Sequence, residues 1–480
     1  MEPAPDNSVF DLVIRDGTVV LPYGPVMTDI GIQGECIVAL GPGLPTGRRD
    51  FSAAGRIILP GGVDSHCHMD QQPWEGRTTA DDFRSGTLSA LCGGTTTVIP
   101  FAVQMRGQSL RAVVDDYYDR ARQKAHIDYG FHLIIGDPSQ QVLKDEIPGL
   151  VAEGCTSFKI YLTYEGLKLD DYEILNVLDV ARSEGAMVMV HAENDAFIPW
   201  LTERFLAARK TQLRYHVTAQ PDISDREATH RAISLAELVE TPLLIGHVAA
   251  AGAVEEIRRG RARGLPVYAE TCPQYLFLAA EDVDTPDLSG AMCVCTPPPR
   301  HRSNQPEIWR GIFDGTLEVF SSDHSPWNYA DKIACGPDTP FTRIANGIPG
   351  IETRLPLLFS AGVNMDRISL QKFAELTAAN PARLFGLYPR KGAIMLGSDP
   401  DLVIWDPDRE VTISNAMLHH ATDHTPYEGR AVRGWPIETI SRGDVLWNDG
   451  EVTSNAGRGW FLACERPFAP QSGLPRVLAS

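Results

Sequence analysis

Between residues 56 and 322 the chain repeats one rhythm, a short β-branched apolar run followed by a longer segment of helical period. Few folds accept it. The runs are 56–63, 95–101, 129–135, 157–162, 187–191, 242–247, 266–270 and 318–322. Helix-start chemistry lies between several of them: Asp170-Asp171 before residues 172–184, and Ser224-Asp225 before residues 226–240. Eight runs in that order predict an α/β fold with a (β/α)8 TIM-like barrel. The alternative, a doubly wound open sheet, lacks the Gly-rich phosphate loop that would support it.

Both ends of the chain have another texture, with apolar and polar positions alternating around Gly-bearing turns. Examples are Phe10-Asp11-Leu12-Val13-Ile14-Arg15-Asp16-Gly17 and Asp401-Leu402-Val403-Ile404-Trp405. The expected organisation is a small β-sandwich domain built from both ends, residues 1–60 and 390–450. It flanks a barrel at 61–389 and is followed by a C-terminal tail at 451–480.

Charge narrows the function classes. Lys and Arg number 43 against 62 Asp and Glu, a net charge of −19, so the surface repels nucleic-acid phosphates and anionic lipid. No apolar run approaches the ~20 residues of a membrane span. The first residues, Met1-Glu2-Pro3-Ala4-Pro5-Asp6, lack a secretory pattern. Nine scattered cysteines read as reduced thiols in a cytoplasmic protein rather than a disulfide framework.

Metal-capable residues fall at the C-terminal ends of the apolar runs. His66 and His68 follow the first, His191 ends the fifth, His247 the sixth and Asp323 the eighth. In a barrel those ends share one mouth, and residues two apart on a strand point the same way. A lone histidine is ordinarily a core or mouth residue bonded to a carbonyl. Five donors at one topological position instead predict a site for Zn²⁺ or a neighbouring divalent metal. The other histidines lack this placement, and His324 faces away from Asp323.

Lys159 is out of place in Ser157-Phe158-Lys159-Ile160-Tyr161-Leu162. An ammonium inside a barrel strand is costly unless paired, neutralised or chemically altered. Snorkelling to the strand end is the plain alternative. Converted to a carbamate by CO₂, the same side chain becomes an anionic oxygen ligand able to bridge two metals.

These residues, with several motifs around them, resemble the dihydropyrimidinase/D-hydantoinase family of the amidohydrolase superfamily. The motifs are Gly61-Gly62-Val63-Asp64-Ser65-His66-Cys67-His68, Thr79-Ala80-Asp81-Asp82-Phe83, Gly93-Gly94-Thr95-Thr96-Thr97 and Ser157-Phe158-Lys159. Val190-His191-Ala192-Glu193-Asn194, Cys272-Pro273-Gln274-Tyr275-Leu276, Ser322-Asp323-His324 and Asn346-Gly347-Ile348-Pro349-Gly350 follow in order, so the likeness spans nearly the whole chain.

The resemblance implies two divalent metals, Zn²⁺ with Mn²⁺ as the alternative. His66, His68, carboxylated Lys159 and Asp323 would surround one, and Lys159, His191 and His247 the other. A metal-bridging hydroxide would open a cyclic amide or imide C–N bond, with Asp323 carrying the proton to the leaving nitrogen. Tyr164 matches a tyrosine that hydrogen-bonds the developing oxyanion; Thr296 and Asn346 match groups that hold the ring. The implied substrate is a small cyclic ureide or imide, a dihydropyrimidine or 5-substituted hydantoin giving an N-carbamoyl amino acid. The implied assembly is a homotetramer or homodimer.

Departures lie in the loops. The segment Met69-Asp70-Gln71-Gln72-Pro73-Trp74-Glu75-Gly76 is more polar than the family pattern, and Glu165-Gly166-Leu167-Lys168 stands where an aromatic residue often closes the pocket. Gln71, Gln72 and Lys168 either favour a polar ring substituent or face water. The expectation is that a plain 5-alkyl hydantoin is not the preferred substrate. Asp70 stands where dihydroorotases carry arginine, which argues against that activity; an allantoinase-like or other imide hydrolase remains the alternative. A non-catalytic scaffold of the same fold would have lost the ligand set, which is complete here.

Overall fold

The computed structural model describes residues 9–71, 76–473 and 475. The two ends of the chain meet in one nine-stranded sheet. Leu12–Leu21, Gly24–Gln33, Cys36–Gly41, Arg49–Ser52 and Ile57–Pro60 come from the first part, and Leu402–Thr412, Ala431–Ser441, Asp444–Asn448 and Glu451–Val452 from the last. The seam is an antiparallel pair in which Leu402 faces Pro60 and Trp405 faces Ile57. Alternation sends Leu12, Ile14, Ile30, Ile32, Ile58, Leu402 and Ile404 into a common core. This is the sandwich domain, and its last strand carries it two residues past the expected boundary at 450.

Between these ends lie eight parallel strand positions: Gly62–Asp64, Thr95–Val98 with Phe101–Val103, Asp128–Tyr129 with His132–Ile134, Ser157–Tyr161, Met187–His191, Leu243–Ile245, Val267–Thr271 and Val319–Phe320. The second is broken around Pro100, which has no N–H for the ladder. Alignment survives because Gly130 N–H donates to Val98 C=O at 3.0 Å and His132 N–H to Pro100 C=O at 2.9 Å. The eighth position returns to the first through side chains as much as main chain. Asp323 N–H donates to His66 C=O at 2.8 Å, and buried Arg354 donates to Phe320 C=O at 2.7 Å and Thr95 Oγ1 at 3.0 Å. The fold is a TIM-like barrel with a β-sandwich domain.

Two expectations change. The run 56–63 is not one strand: it serves the sandwich up to Pro60 and the barrel from Gly62. A side chain at Gly61, the crossing point, would collide with Thr96. Asp170 does cap the helix Asp171–Glu184, completing a capping box with Glu173. The second cap is misplaced, because the helix Asp222–Val239 starts after Pro221 and takes Ser224 and Asp225 inside. Asp225 is buried there against Arg300 at 2.5 Å.

The tail is stitched onto its own barrel. Tyr129 N–H donates to Trp460 C=O at 2.9 Å, Leu462 N–H to Tyr129 C=O at 2.7 Å, Cys464 N–H to Gly154 C=O at 3.1 Å and Phe468 N–H to Gly185 C=O at 3.2 Å. Each partner precedes or begins a barrel strand, so the segment closes the N-terminal floor. Leu462 and Cys464 join a core cluster with Ile99, Phe101, Met187 and Met189. The opposite end is left for chemistry.

Candidate active site

Parallel register fixes the mouth. Tyr161 pairs with His191 and Lys159 with Met189, so the ends of neighbouring strands stand level. His66 Nε2 and His68 Nε2 lie 3.3 and 3.4 Å from the same Asp323 Oδ1. Ring nitrogens of these two histidines and an Asp323 oxygen all fall within 4.8 Å of one another, a spacing that suits one cation. A second pair faces inward beside them: His191 Nδ1 and His247 Nε2 are 2.9 Å apart, and the His66 and His247 ring centroids are 5.2 Å apart.

Lys159 is fully buried, and its Nζ has no hydrogen-bond partner among the described residues. It lies 5.4 Å from the Phe101 ring centroid and 5.6 Å from that of Tyr161. A Cβ on Gly246 would lie 3.0 Å from Nζ, a tight contact to which the amine would have to yield. Burial pushes the Lys159 pKa down, against the pull of Glu270 and Asp323. Burial likewise holds His66, His191 and His247 well below the ordinary imidazole range, with Lys159 reinforcing it. Neutral imidazoles are the metal-binding form. An orphaned amine among neutral imidazoles and a carboxylate is a donor set awaiting cations, so the residues fit the implied metals.

Two carboxylates that the sequence reading passed over hold these donors in place. Glu270 accepts from the His247 N–H at 3.0 Å and bonds His66 Nδ1 through the same oxygen. Glu193 Oε2 lies 2.9 Å from His191 Nε2. Burial pushes both carboxyl pKa values up. A signal existed for each, since Glu193 stands two residues after His191 and Glu270 ends the seventh apolar run.

Tyr164 has φ +80°, and its ring centroid is 4.9 Å from that of His191. Burial pushes its hydroxyl pKa well up, keeping it a proton donor. Thr296 Oγ1 is buried without a hydrogen bond among the described residues, while Asn346 is exposed and its C=O accepts from Trp327 Nε1 at 2.9 Å. The remaining histidines are spent elsewhere. His132 bonds Ser157 Oγ at 2.6 Å and Ser65 C=O at 2.9 Å, and His324 turns away to Asp81 at 3.1 Å.

The loop polarity meets protein partners, and Lys168 also keeps a solvent-open side chain. Gln71 Nε2 reaches back to His68 Nδ1 at 2.8 Å, and Lys168 pairs with Asp195 at 2.8 Å. Asp70 points outward to Lys124 at 2.8 Å, with Arg120 donating to its C=O at 2.6 Å. Gln72 lies outside the described residues. Gln71 and Lys168 therefore give no support to a polar-substituent pocket.

Comparison with known proteins agrees with this geometry. The Amidohydrolase family model matches residues 57–446. A D-hydantoinase of Ralstonia pickettii is 40% identical over 453 residues, 94% of this chain and 98% of that protein. A D-phenylhydantoinase of Escherichia coli O1:K1 is 41% identical over 465 residues, 96% and 99% of the two chains. The crystal structure of dihydropyrimidinase from Brevibacillus agri NCHU1002 superposes with a TM-score of 0.92 at 39% identity, covering 95% of this chain and 99% of that one. The chain belongs to the amidohydrolase family. Within it the D-hydantoinase and dihydropyrimidinase group accounts for the match along nearly the full length, and the protein is a cyclic amidohydrolase.

Proposed function

We propose that the protein opens 5-substituted hydantoins, and dihydropyrimidines by the same chemistry, to N-carbamoyl amino acids with two divalent metals bound at the barrel mouth. The observation that carries this is the unpaired Lys159 amine buried among His66, His191 and His247. Its neutral form is the one CO₂ converts to a carbamate. His66, His68, Asp323 and the modified Lys159 would hold one metal, and Lys159, His191 and His247 the other, with Zn²⁺ favoured by the imidazole-rich set. When bound, the metals would supply an activated water and polarise the scissile carbonyl.

The chain's own residues do the rest. Asp323 takes the proton of the attacking water and delivers it to the ring nitrogen as the C–N bond breaks. Tyr164 keeps its proton and donates a hydrogen bond through it to the carbonyl oxygen as that oxygen becomes anionic. Thr296 and Asn346 hold the ring edge. The helix Phe197–Ala207 carries Phe197, Trp200 and Leu206 yet has no buried residue, which supports self-association into a homodimer or homotetramer. Unpaired cysteines support a cytoplasmic setting.

The test pairs metal stoichiometry with the mass of the Lys159 peptide under conditions that preserve CO₂ adducts, then turnover of hydantoins, dihydrouracil and allantoin. Expected are two metals, a carboxylated lysine and best kcat/KM on a hydantoin. An unmodified lysine, or turnover of none of these rings, sinks the proposal.

A further inference from the structure

Lys332 is a second fully buried lysine, at the end of the short helix Tyr329–Lys332 and outside the metal cluster. Its partners are not carboxylates. Nζ donates to Val294 C=O at 3.0 Å, Ala345 C=O at 2.9 Å and Gly347 C=O at 2.6 Å. Three donors converging on three carbonyls use the full capacity of an ammonium; a neutral amine offers two. Burying such a charge without a counterion is costly, and a hydroxyl could satisfy one of these carbonyls more cheaply.

The three acceptors belong to the two segments that carry Thr296 and Asn346. Gly347 N–H also donates to Val294 C=O at 3.1 Å, joining the segments directly. Gly347 has φ +121°, and a side chain there would collide with Ser325. Around Thr296 the remaining carbonyls are fixed from the interior: Cys295 C=O by His216 Nε2 at 2.9 Å and Pro297 C=O by Tyr275 OH at 3.1 Å. Trp327 fixes Asn346 C=O. Among the described residues, neither the N–H nor the C=O of Thr296 pairs with another main-chain group.

We propose that Lys332 is a positioning residue that clamps the Thr296 and Asn346 segments at one separation, so that their main-chain groups meet the ring of a cyclic ureide without rearrangement. The inference rests on Thr296 and Asn346 being the ring-holding residues. It adds a specificity device: a tripod of fixed length sets the width of the slot, and thereby the ring size that fits it.

The test uses the metal-loaded protein with hydantoin and dihydrouracil. Lys332→Met keeps the length and removes the donors. Trp327→Phe, which removes one bond to Asn346, serves if the first variant does not fold. A lost ring contact is lost in ground and transition states alike, so KM should rise about tenfold or more with kcat little changed. Metal content should equal that of the parent, and the ratio of kcat/KM between five- and six-membered rings should shift. KM within twofold of the parent in a folded variant, or kcat and metal content falling together at constant KM, overturns the proposal. If the parent itself opens neither ring, the ring-holding reading fails first, and that result is distinct.

Discussion

Two buried lysines mark the two ends of the barrel. At the floor, Lys391 Nζ meets Asp128 at 2.7 Å, Asp401 at 2.8 Å and Asp399 at 3.0 Å, joining a barrel strand to the sandwich domain. At the mouth, Lys159 meets no acceptor among the described residues. Burial lowers both pKa values, but at Lys391 the Asp401, Asp128 and Asp399 charges outweigh it and hold the ammonium above the ordinary lysine range. At Lys159 burial wins. The same residue type is held charged where neighbouring carboxylates outweigh burial, and is driven toward the neutral amine where burial wins.

The sharpest way to break the comparison is to replace both lysines by methionine. Lys159→Met should lower kcat/KM by at least about 10³-fold, beyond the loss of a single transition-state donor, if Lys159 is the shared metal ligand proposed above. The thermal midpoint of the metal-free protein should hold or rise, since there a buried unpaired amine gives way to an apolar side chain. Hydantoin kinetics with calorimetry checks this, and a large drop in midpoint would show that Lys159 is structural. Lys391→Met should do the reverse. Leaving Asp128 and Asp401 buried without their cation costs about 3–5 kcal/mol, with metal content and kcat of the folded protein unchanged.

The floor lysine also has a pH signature of known sign. A raised folded-state pKa means its stabilisation is complete below the unfolded lysine value near 10.4 and is lost as pH rises through the folded value. Chemical denaturation from pH 8 to 11 should show the parent losing stability at the alkaline end more steeply than Lys391→Met. Parallel curves would remove Lys391 from that role.

Intermediate in size is the layer behind the ligands. Glu193→Gln keeps the shape beside His191 and removes the charge, so metal affinity should fall roughly 10–100-fold, read by competition with a chelator. Unchanged affinity would make Glu193 a bystander.

What the sequence revealed follows from locality. His66, His68, Lys159, His191, His247 and Asp323 were legible because strand ends and two-residue alternation are local properties that a barrel converts into convergence. Partners from distant segments were not. Asp225 looks like a helix start until Arg300 arrives from 75 residues away, and Trp460 looks like loose tail until its N–H donates to the Asp128 carboxylate across 332 residues. The run 56–63 hides its division between two sheets, because both halves are equally apolar. Gln71 and Lys168 looked available to substrate, since polarity alone does not disclose a protein partner.

The smallest effect belongs to the outer ring of helices. Asp170 accepts from Glu173 N–H at 2.8 Å, and Glu173 accepts in return from Asp170 N–H at 3.0 Å. Asp170→Ala removes the first of these bonds and should cost about 1 kcal/mol, seen as a modest fall in the denaturation midpoint. Its helix follows the Lys159 strand, so the substitution also asks whether the mouth depends on the outer ring. If barrel strands are held by their own register and by the floor, kcat/KM should not change. A fall in kcat/KM of about tenfold or more would mean that the ring, and not the strand ladder, sets where Lys159 points.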